Sequence, residues 1–379
     1  MDKLKHFNGQ IPYKLKPAES FEIELTSEES DANEHILATL KTEANYLPIK
    51  GKNYEEAPKP ATNDEMINHL SKRIDIQEND VPLLKRVIRE NMYHRVAYFA
   101  KLLFNKKRSK PTVADLIELF SFDAYLRTSI SRLIPPIEQY AKATLSELLI
   151  EKSRNSEAYL FEEFYKTGSD RDKLRFRQAL AKCSNDVIYS KKKDSSVKHN
   201  IEEHGGHVPI WTFYDVLTFG EFNMLATCLE KRVLSDWLDS ILEDGKKYDS
   251  IIGMRPKSLP SLLQTVQLLR NAAVHNSRIY GQKFVYNPPF NKKDNEYWKK
   301  YERKDFEINK ETVGVQIHSL FSGLIVIRFF YTCMNNKKIE QWESFRDKLK
   351  DHCDSNNFLN LSGYLGFPDN WYELLKIKC

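Results

Sequence analysis

The chain has 379 residues, of which 41% are hydrophobic, 12% aromatic and 29% charged, with a net charge of +5. That composition excludes a disordered chain, leaves enough apolar mass for a sizeable core, and is too weakly basic to name a partner by charge alone. The greasiest stretch, Leu320 to Tyr331, is short for a bilayer and contains Arg328, so no membrane span is expected.

The first residues, Met1-Asp2-Lys3-Leu4-Lys5-His6, carry no apolar run of the signal-peptide kind. Residues 1–60 are polar and broken by Pro12, Pro17, Pro48, Pro58 and Pro60. They read as an arm with one short helix near Glu34–Glu43. From Asn63 onward the periodicity is helical, and residues 61–379 read as one all-α domain. Asn63-Asp64-Glu65 offers a cap before Met66, Ile67 and Leu70. Asp80 precedes a run with Leu83, Leu84, Val87 and Ile88. A long amphipathic stretch from Val113 through Leu149 follows, and Pro135-Pro136 should kink or split it.

Residues 155–182 read as a helical pair and 186–209 as a polar loop. Pro209 then starts a helix with Trp211, Tyr214, Val216 and Leu217. Further helical segments are expected near 221–244, 258–277, 308–334 and 338–351, with a turn at Gly366 and Pro368. No run alternates as strands do.

Cys183, Cys228, Cys333, Cys353 and Cys379 are scattered, which argues against a disulfide framework or a zinc ribbon. A reduced, cytoplasmic protein is the expectation. His204-Gly205-Gly206-His207, with His199, Glu202 and Glu203 nearby, contains metal-ligand types. Its glycines favour a flexible loop instead, so neither a metal nor a cofactor is expected.

Three basic clusters stand out: Lys106, Lys107, Arg108 and Lys110; Lys191, Lys192 and Lys193; and Lys299, Lys300, Arg303 and Lys304. The last is interleaved with Tyr297, Trp298 and Tyr301, a mixture suited to phosphate contact and base stacking. A lysine-rich solvated surface explains these clusters equally well.

One segment carries a chemical signal. In the helix from Ser261 to His275, Leu262, Val266, Leu269 and Ala273 form an apolar stripe. At about 100° per residue, Arg270 and His275 lie roughly 140° apart around the axis. Asn271 falls between them and shares a face with His275. The three polar groups can therefore face a cleft while the stripe is buried. Histidine moves protons near neutrality, arginine grips a phosphate with two N–H groups, and asparagine can orient the histidine or bind substrate. RNA brings its own nucleophile, the 2′-hydroxyl. Spacing alone, however, favours an ordinary surface Arg and a hydrogen-bonded His at a helix end.

Context adds to the spacing. Arg270-Asn271-Ala272-Ala273-Val274-His275 resembles the HEPN ribonuclease motif. Phe122-Asp123 with Leu126-Arg127, then Ile137-Glu138, resembles the "FDxxLR … IE" helix of the AbiD/AbiF group of abortive-infection proteins. Val208-Pro209-Ile210-Trp211 and Leu217-Thr218-Phe219-Gly220 resemble its "PPxW … LSFG" segment. Leu269 through Arg278 resembles its "LRNxxAHHxR", and Leu365-Gly366-Phe367-Pro368 with Trp371 its "GFPxxW". The likeness runs in order over about residues 65–375. It departs at Asn276, where the group often has a second histidine, and at Lys142, where an arginine is common.

The resemblance implies a HEPN-type helical bundle and a homodimer with a composite site. It also implies metal-independent ribonuclease chemistry and a toxin role in phage defence. RNA would be the substrate, and a structured non-coding RNA a restraining partner. Arg270, Asn271 and His275 would carry the chemistry, and Arg278 would touch RNA or lie solvated past the helix end. Asp123, Arg127 and Glu138 are expected to form one buried ion network that braces the catalytic helix. Trp211, Phe219, Phe367 and Trp371 are expected in the core.

Overall fold

The computed structural model describes residues 61–104, 109–244, 255–285, 288 and 318–377. The expected helix near Glu34–Glu43, the residues Lys106–Arg108 and the whole cluster from Tyr297 to Lys304 lie outside the described residues. The chain divides into Met1–Met66 and Ile67–Cys379, and the second unit holds the helical bundle.

Helices α1 (Asn63–Ser71), α2 (Val81–Asn91) and α3 (Tyr93–Leu103) come first. The cap of α1 sits one residue earlier than expected. Thr62 Oγ1 accepts from Glu65 N–H at 3.3 Å while the Glu65 carboxylate accepts from Thr62 N–H at 2.7 Å. The same reciprocal box, Thr112 with Asp115, opens α4 (Val113–Ser153).

Helix α4 is 41 residues long and is not split at its proline pair. Pro135 and Pro136 cannot donate to the carbonyls of Ser131 and Arg132. A neighbouring helix supplies a donor to one of these two carbonyls, and another donates one residue further on. The buried Tyr331 hydroxyl donates to Leu133 O at 3.0 Å, and Gln341 Nε2 reaches Arg132 O at 3.5 Å.

The segment expected as a helical pair is two short 3₁₀ turns, Ala158–Leu160 and Glu162–Phe164, followed by α5 (Asp170–Ser190). The expected polar loop after it is largely helical too, because α6 spans Ser195–Glu203. Asp194 caps α6 by accepting from Ser196 and Val197 N–H at 2.9 and 3.0 Å, and Val197 is buried. Only the turn 191–194 and the segment 204–209 remain outside helices. Helices α7 (Ile210–Val216), α8 (Phe219–Cys228) and α9 (Lys231–Asp244) follow. The expected single segment 221–244 breaks at Leu229 because the chain there pairs with 164–166. Lys166 N–H donates to Cys228 O at 2.8 Å and Glu230 N–H to Phe164 O at 2.9 Å.

Next come α10 (Leu259–Val274), α11 (Leu320–Thr332), α12 (Asn336–Ser355) and the short α13 (Trp371–Leu374). The described part of the expected 308–334 segment is helical only from Leu320. Among the described residues there is no strand, only the isolated bridges Asp75–Thr112 and Tyr165–Leu229, and the fold is all-α. No helix among them is long and apolar enough to cross a membrane.

Helix α4 is the spine, and α3, α7, α9, α10, α11 and α12 all pack on it. Every residue of α11 from Leu320 to Tyr331 is buried. Its one charge, Arg328, donates to the carbonyls of Leu374 and Lys376 and so ties down the C-terminal segment. Each fully buried Leu, Ile or Phe contributes about 1.5–3 kcal/mol, so the apolar seams of α4, α10 and α11 dominate the stability. The four described cysteines are free and buried, and burial pushes the thiols of Cys183, Cys333 and Cys353 up to about 12.

Where α5 meets α8, the carboxyls of Asp186 and Glu221 act on each other. A hydrogen bond to Glu221, then burial, pushes the Asp186 carboxyl up to about 6. Burial opposes ionisation of Glu221, yet hydrogen bonds from Asp186 and Thr218 hold its carboxyl below the usual range. The native state thus binds the Asp186 proton more tightly than the unfolded chain does. The stability gained is full at low pH and is lost as pH rises through about 6. Asp186→Asn keeps a donor for Glu221 without the charge. Its melting temperature should exceed the wild type's at pH 7.5, and the difference should close as the pH falls through about 6 toward 3.8. An equal difference at both pH values would contradict the raised Asp186 carboxyl.

Candidate active site

Helix α10 buries Leu259, Leu262, Leu263, Val266, Leu269 and Ala273 against α4, α8 and α11. That buried seam fixes the helix and leaves its last turn at the surface. The helix ends at Val274, and His275 is its C-cap. Ser277 N–H donates to Ala272 O at 2.9 Å and Asn276 N–H to Ala273 O at 3.4 Å, the paired bonds of a Schellman turn. This turn needs a left-handed residue after the cap, and Asn276 takes it with φ +54°. Asparagine tolerates that conformation well, which gives the departure from the family's second histidine a structural use.

The chain after His275 is fastened from behind. Arg95 of α3 donates to Asn276 O. Asp123 of α4, fully buried, accepts from Ile279 N–H at 2.8 Å and Tyr280 N–H at 2.7 Å, and also from Arg127. Burial pushes the Asp123 carboxyl up, while the two N–H groups and the Arg127 and Arg95 cations offset part of that. The Arg278 guanidinium lies 3.6 Å over the Tyr98 ring and reaches Gln282 Oε1 at 3.3 Å. Arg278 is therefore built into the turn rather than solvated past it. Gly281 is left-handed, with φ +67°, and its N–H donates to Tyr364 O at 3.2 Å. A Cβ there would lie 2.8 Å from Leu102, so glycine is required twice over.

On this rigid turn the three motif side chains differ. His275 is exposed, and its imidazole makes no hydrogen bond among the described residues. Arg270 is half-buried and donates to Asn271 Oδ1 at 3.3 Å. Asn271 therefore faces Arg270, where the sequence suggested His275. The arrangement can present a guanidinium and an imidazole together to a phosphodiester.

The expected single ion network is two. Glu138 pairs with Lys142 at 2.8 Å, and Lys142 donates to Leu217 O at 2.7 Å. That pair lies 11 residues beyond Arg127, or about 17 Å along the helix, and braces the entry to α8. Of these three, only Asp123 reaches the motif turn, with Arg127 paired behind it.

The other basic residues are elsewhere. Lys191 pairs with Glu202 at 3.4 Å, Lys193 lies 4.6 Å over the Tyr189 ring, and Lys192 is exposed, all at the turn between α5 and α6. Lys299, Lys300, Arg303 and Lys304 lie outside the described residues. The glycine-linked histidines diverge: His204 Nε2 is 3.2 Å from His199 Nε2, and His207 Nδ1 is 2.9 Å from Glu157. Among the described residues no three His, Cys, Asp or Glu side chains are placed to hold a metal ion.

Phe219, Phe367 and Trp371 are buried as expected, whereas Trp211 is 55% exposed. Trp211 borders a groove of about 650 Å³ between α4 and α7 that does not include Arg270 or His275. Sequence reasoning missed α3 altogether. Its signal was present in Tyr93-His94-Arg95 with Tyr98, basic and aromatic residues at helical spacing.

The described residues form an all-helical unit in which Arg270 and His275 lie at the end of α10. Residues 86–281 match the family model of Abi-like proteins, and the chain belongs to that family. Membership points to abortive infection. The match spans α4, α10 and the motif turn, and it ends before the Gly366-Phe367-Pro368 segment. No curated protein and no solved structure matches the chain.

Proposed function

We propose that this protein is a metal-independent endoribonuclease of the HEPN type that acts as a toxin in abortive infection. The carrying observation is the turn after α10, where Arg270 and the exposed His275 stand on backbone held by Asp123, Arg95 and Arg278. Arg270 grips a phosphate through its planar fork. His275 moves a proton as the RNA's own 2′-hydroxyl attacks the neighbouring phosphorus. The products are a 2′,3′-cyclic phosphate and a 5′-hydroxyl. The test is cleavage of RNA in EDTA by the wild type and by His275→Ala. A wild type that binds RNA without cutting it would make the protein an RNA-binding member of the family instead.

Lys191, Lys192 and Lys193 extend the basic surface in the same proposal. Replacing all three with Glu should lower RNA affinity and flatten its salt dependence, by roughly 0.7 in log–log slope for each phosphate that is no longer neutralised. An unchanged slope would make this cluster ordinary surface.

A further inference from the structure

Among the described residues, Trp237, Trp342 and Trp371 are buried, and Trp211 alone of the tryptophans is exposed. An indole left in water keeps a large apolar face without a partner, and such side chains anchor protein–protein contacts. Trp211 stands on the α7 wall of the groove against α4, and Asp215 follows one turn later on the same face. The floor is the exposed edge of α4. Gln139, Ala143, Glu147 and Glu151 recur along it every four residues, and Arg154 ends the row.

The charges decide what fits. Glu147, Glu151 and Asp215 are exposed, and none has a side-chain ion pair or hydrogen bond among the described residues. Of the two lining cations, Lys142 is buried and engaged by Glu138 and the Leu217 carbonyl, which leaves Arg154. Three carboxylates against one cation repel phosphate and attract a positive partner. The shape favours a long one. From Gln139 to Arg154 the floor extends about 22 Å along the helix. A second groove of about 610 Å³ shares Gln139 and Ala143 and carries the trough on past Pro136. An extended chain at about 3.3 Å per residue would lay about seven residues along the first floor alone.

We infer that this trough binds an extended, arginine-bearing segment of a partner protein. Arginine suits it better than lysine. A guanidinium is planar and weakly hydrated, so it stacks on an indole while its edge donates to carboxylates. Over Trp211, with Glu147, Glu151 or Asp215 at its rim, such a group is paired on both face and edge. Glu147 lies about 36 Å along α4 from Asp123, so the trough is a surface separate from the motif turn.

The test uses the full chain and three dye-labelled peptides that alternate serine with arginine, lysine or glutamate. Fluorescence anisotropy at about 0.15 M salt measures binding. The arginine peptide should bind, the lysine peptide several-fold more weakly, and the glutamate peptide not at all. Trp211→Ala should weaken the arginine peptide by about 10-fold, and Trp211→Phe by less because a ring remains. Glu147→Gln combined with Glu151→Gln should weaken it by about 3–10-fold and flatten its salt dependence. These side chains are exposed, so the melting temperatures should stay near the wild type's. No binding of the arginine peptide at about 1 mM would overturn the inference. So would equal affinity in the wild type and Trp211→Ala; a single-stranded RNA weakened by that variant instead would make the groove a base-stacking site. A lower molar mass for Trp211→Ala in light scattering would also overturn it, and would give the groove to a second copy of the chain.

Discussion

Replacing Arg270 or His275 with alanine should reduce RNA cleavage and cell toxicity by about 10³-fold or more while the protein stays folded. The two effects separate because of where the groups sit. The Schellman turn at 275–277 is held by backbone bonds, so it does not need the imidazole. His275 is exposed and Arg270 is half-buried, with Asn271 as its side-chain partner among the described residues, so each truncation should cost about 0.5 kcal/mol or less. Circular dichroism and the melting temperature should hardly move. Arg270→Lys keeps the charge and loses the two-pronged grip, so it should fall between the wild type and Arg270→Ala. Near-wild-type cleavage by His275→Ala would remove this residue from the mechanism.

Asp123→Ala should lower stability and activity together. The substitution leaves two buried N–H groups and the Arg127 guanidinium without their acceptor. Stranding the partner of a buried charge costs about 3–5 kcal/mol. Arg127 keeps 17% of its side chain exposed, so the lower end, about 3 kcal/mol, applies. Asp123→Asn retains one acceptor oxygen and should lose less. Urea unfolding monitored by circular dichroism measures both. An unchanged midpoint for Asp123→Ala would mean that the turn is held by Arg95 and Arg278 without it.

The contrast between these variants shows what the sequence could reveal. Periodicity identified α10, its buried stripe and its polar end, because burial follows spacing. It also marked α4, whose apolar positions recur along its whole length. Periodicity does not say which neighbour a face meets. Asp123, Arg127 and Glu138 therefore looked like one network, and only the packed chain separates them into a brace for the motif turn and a brace for α8. Helix α6 was hidden because its stability comes from the Asp194 cap and a single buried valine, not from an apolar run. Trp211 looked like core because it is large and aromatic, yet it borders an open groove. The brace from α3 was hidden for the most physical reason: Arg95 and Asn276 are 181 residues apart in sequence, and only the packed chain brings them together.

Metal-independent cleavage is tested most directly by the ends of the RNA fragments formed in EDTA. Purified wild-type protein is incubated with single-stranded RNA, with and without chelator, and the fragments are weighed by mass spectrometry. The expected result is undiminished cleavage in EDTA, with 2′,3′-cyclic phosphate and 5′-hydroxyl ends, and none from His275→Ala. Cleavage that disappears in EDTA, returns with Mg²⁺ and leaves 5′-phosphate ends would contradict it.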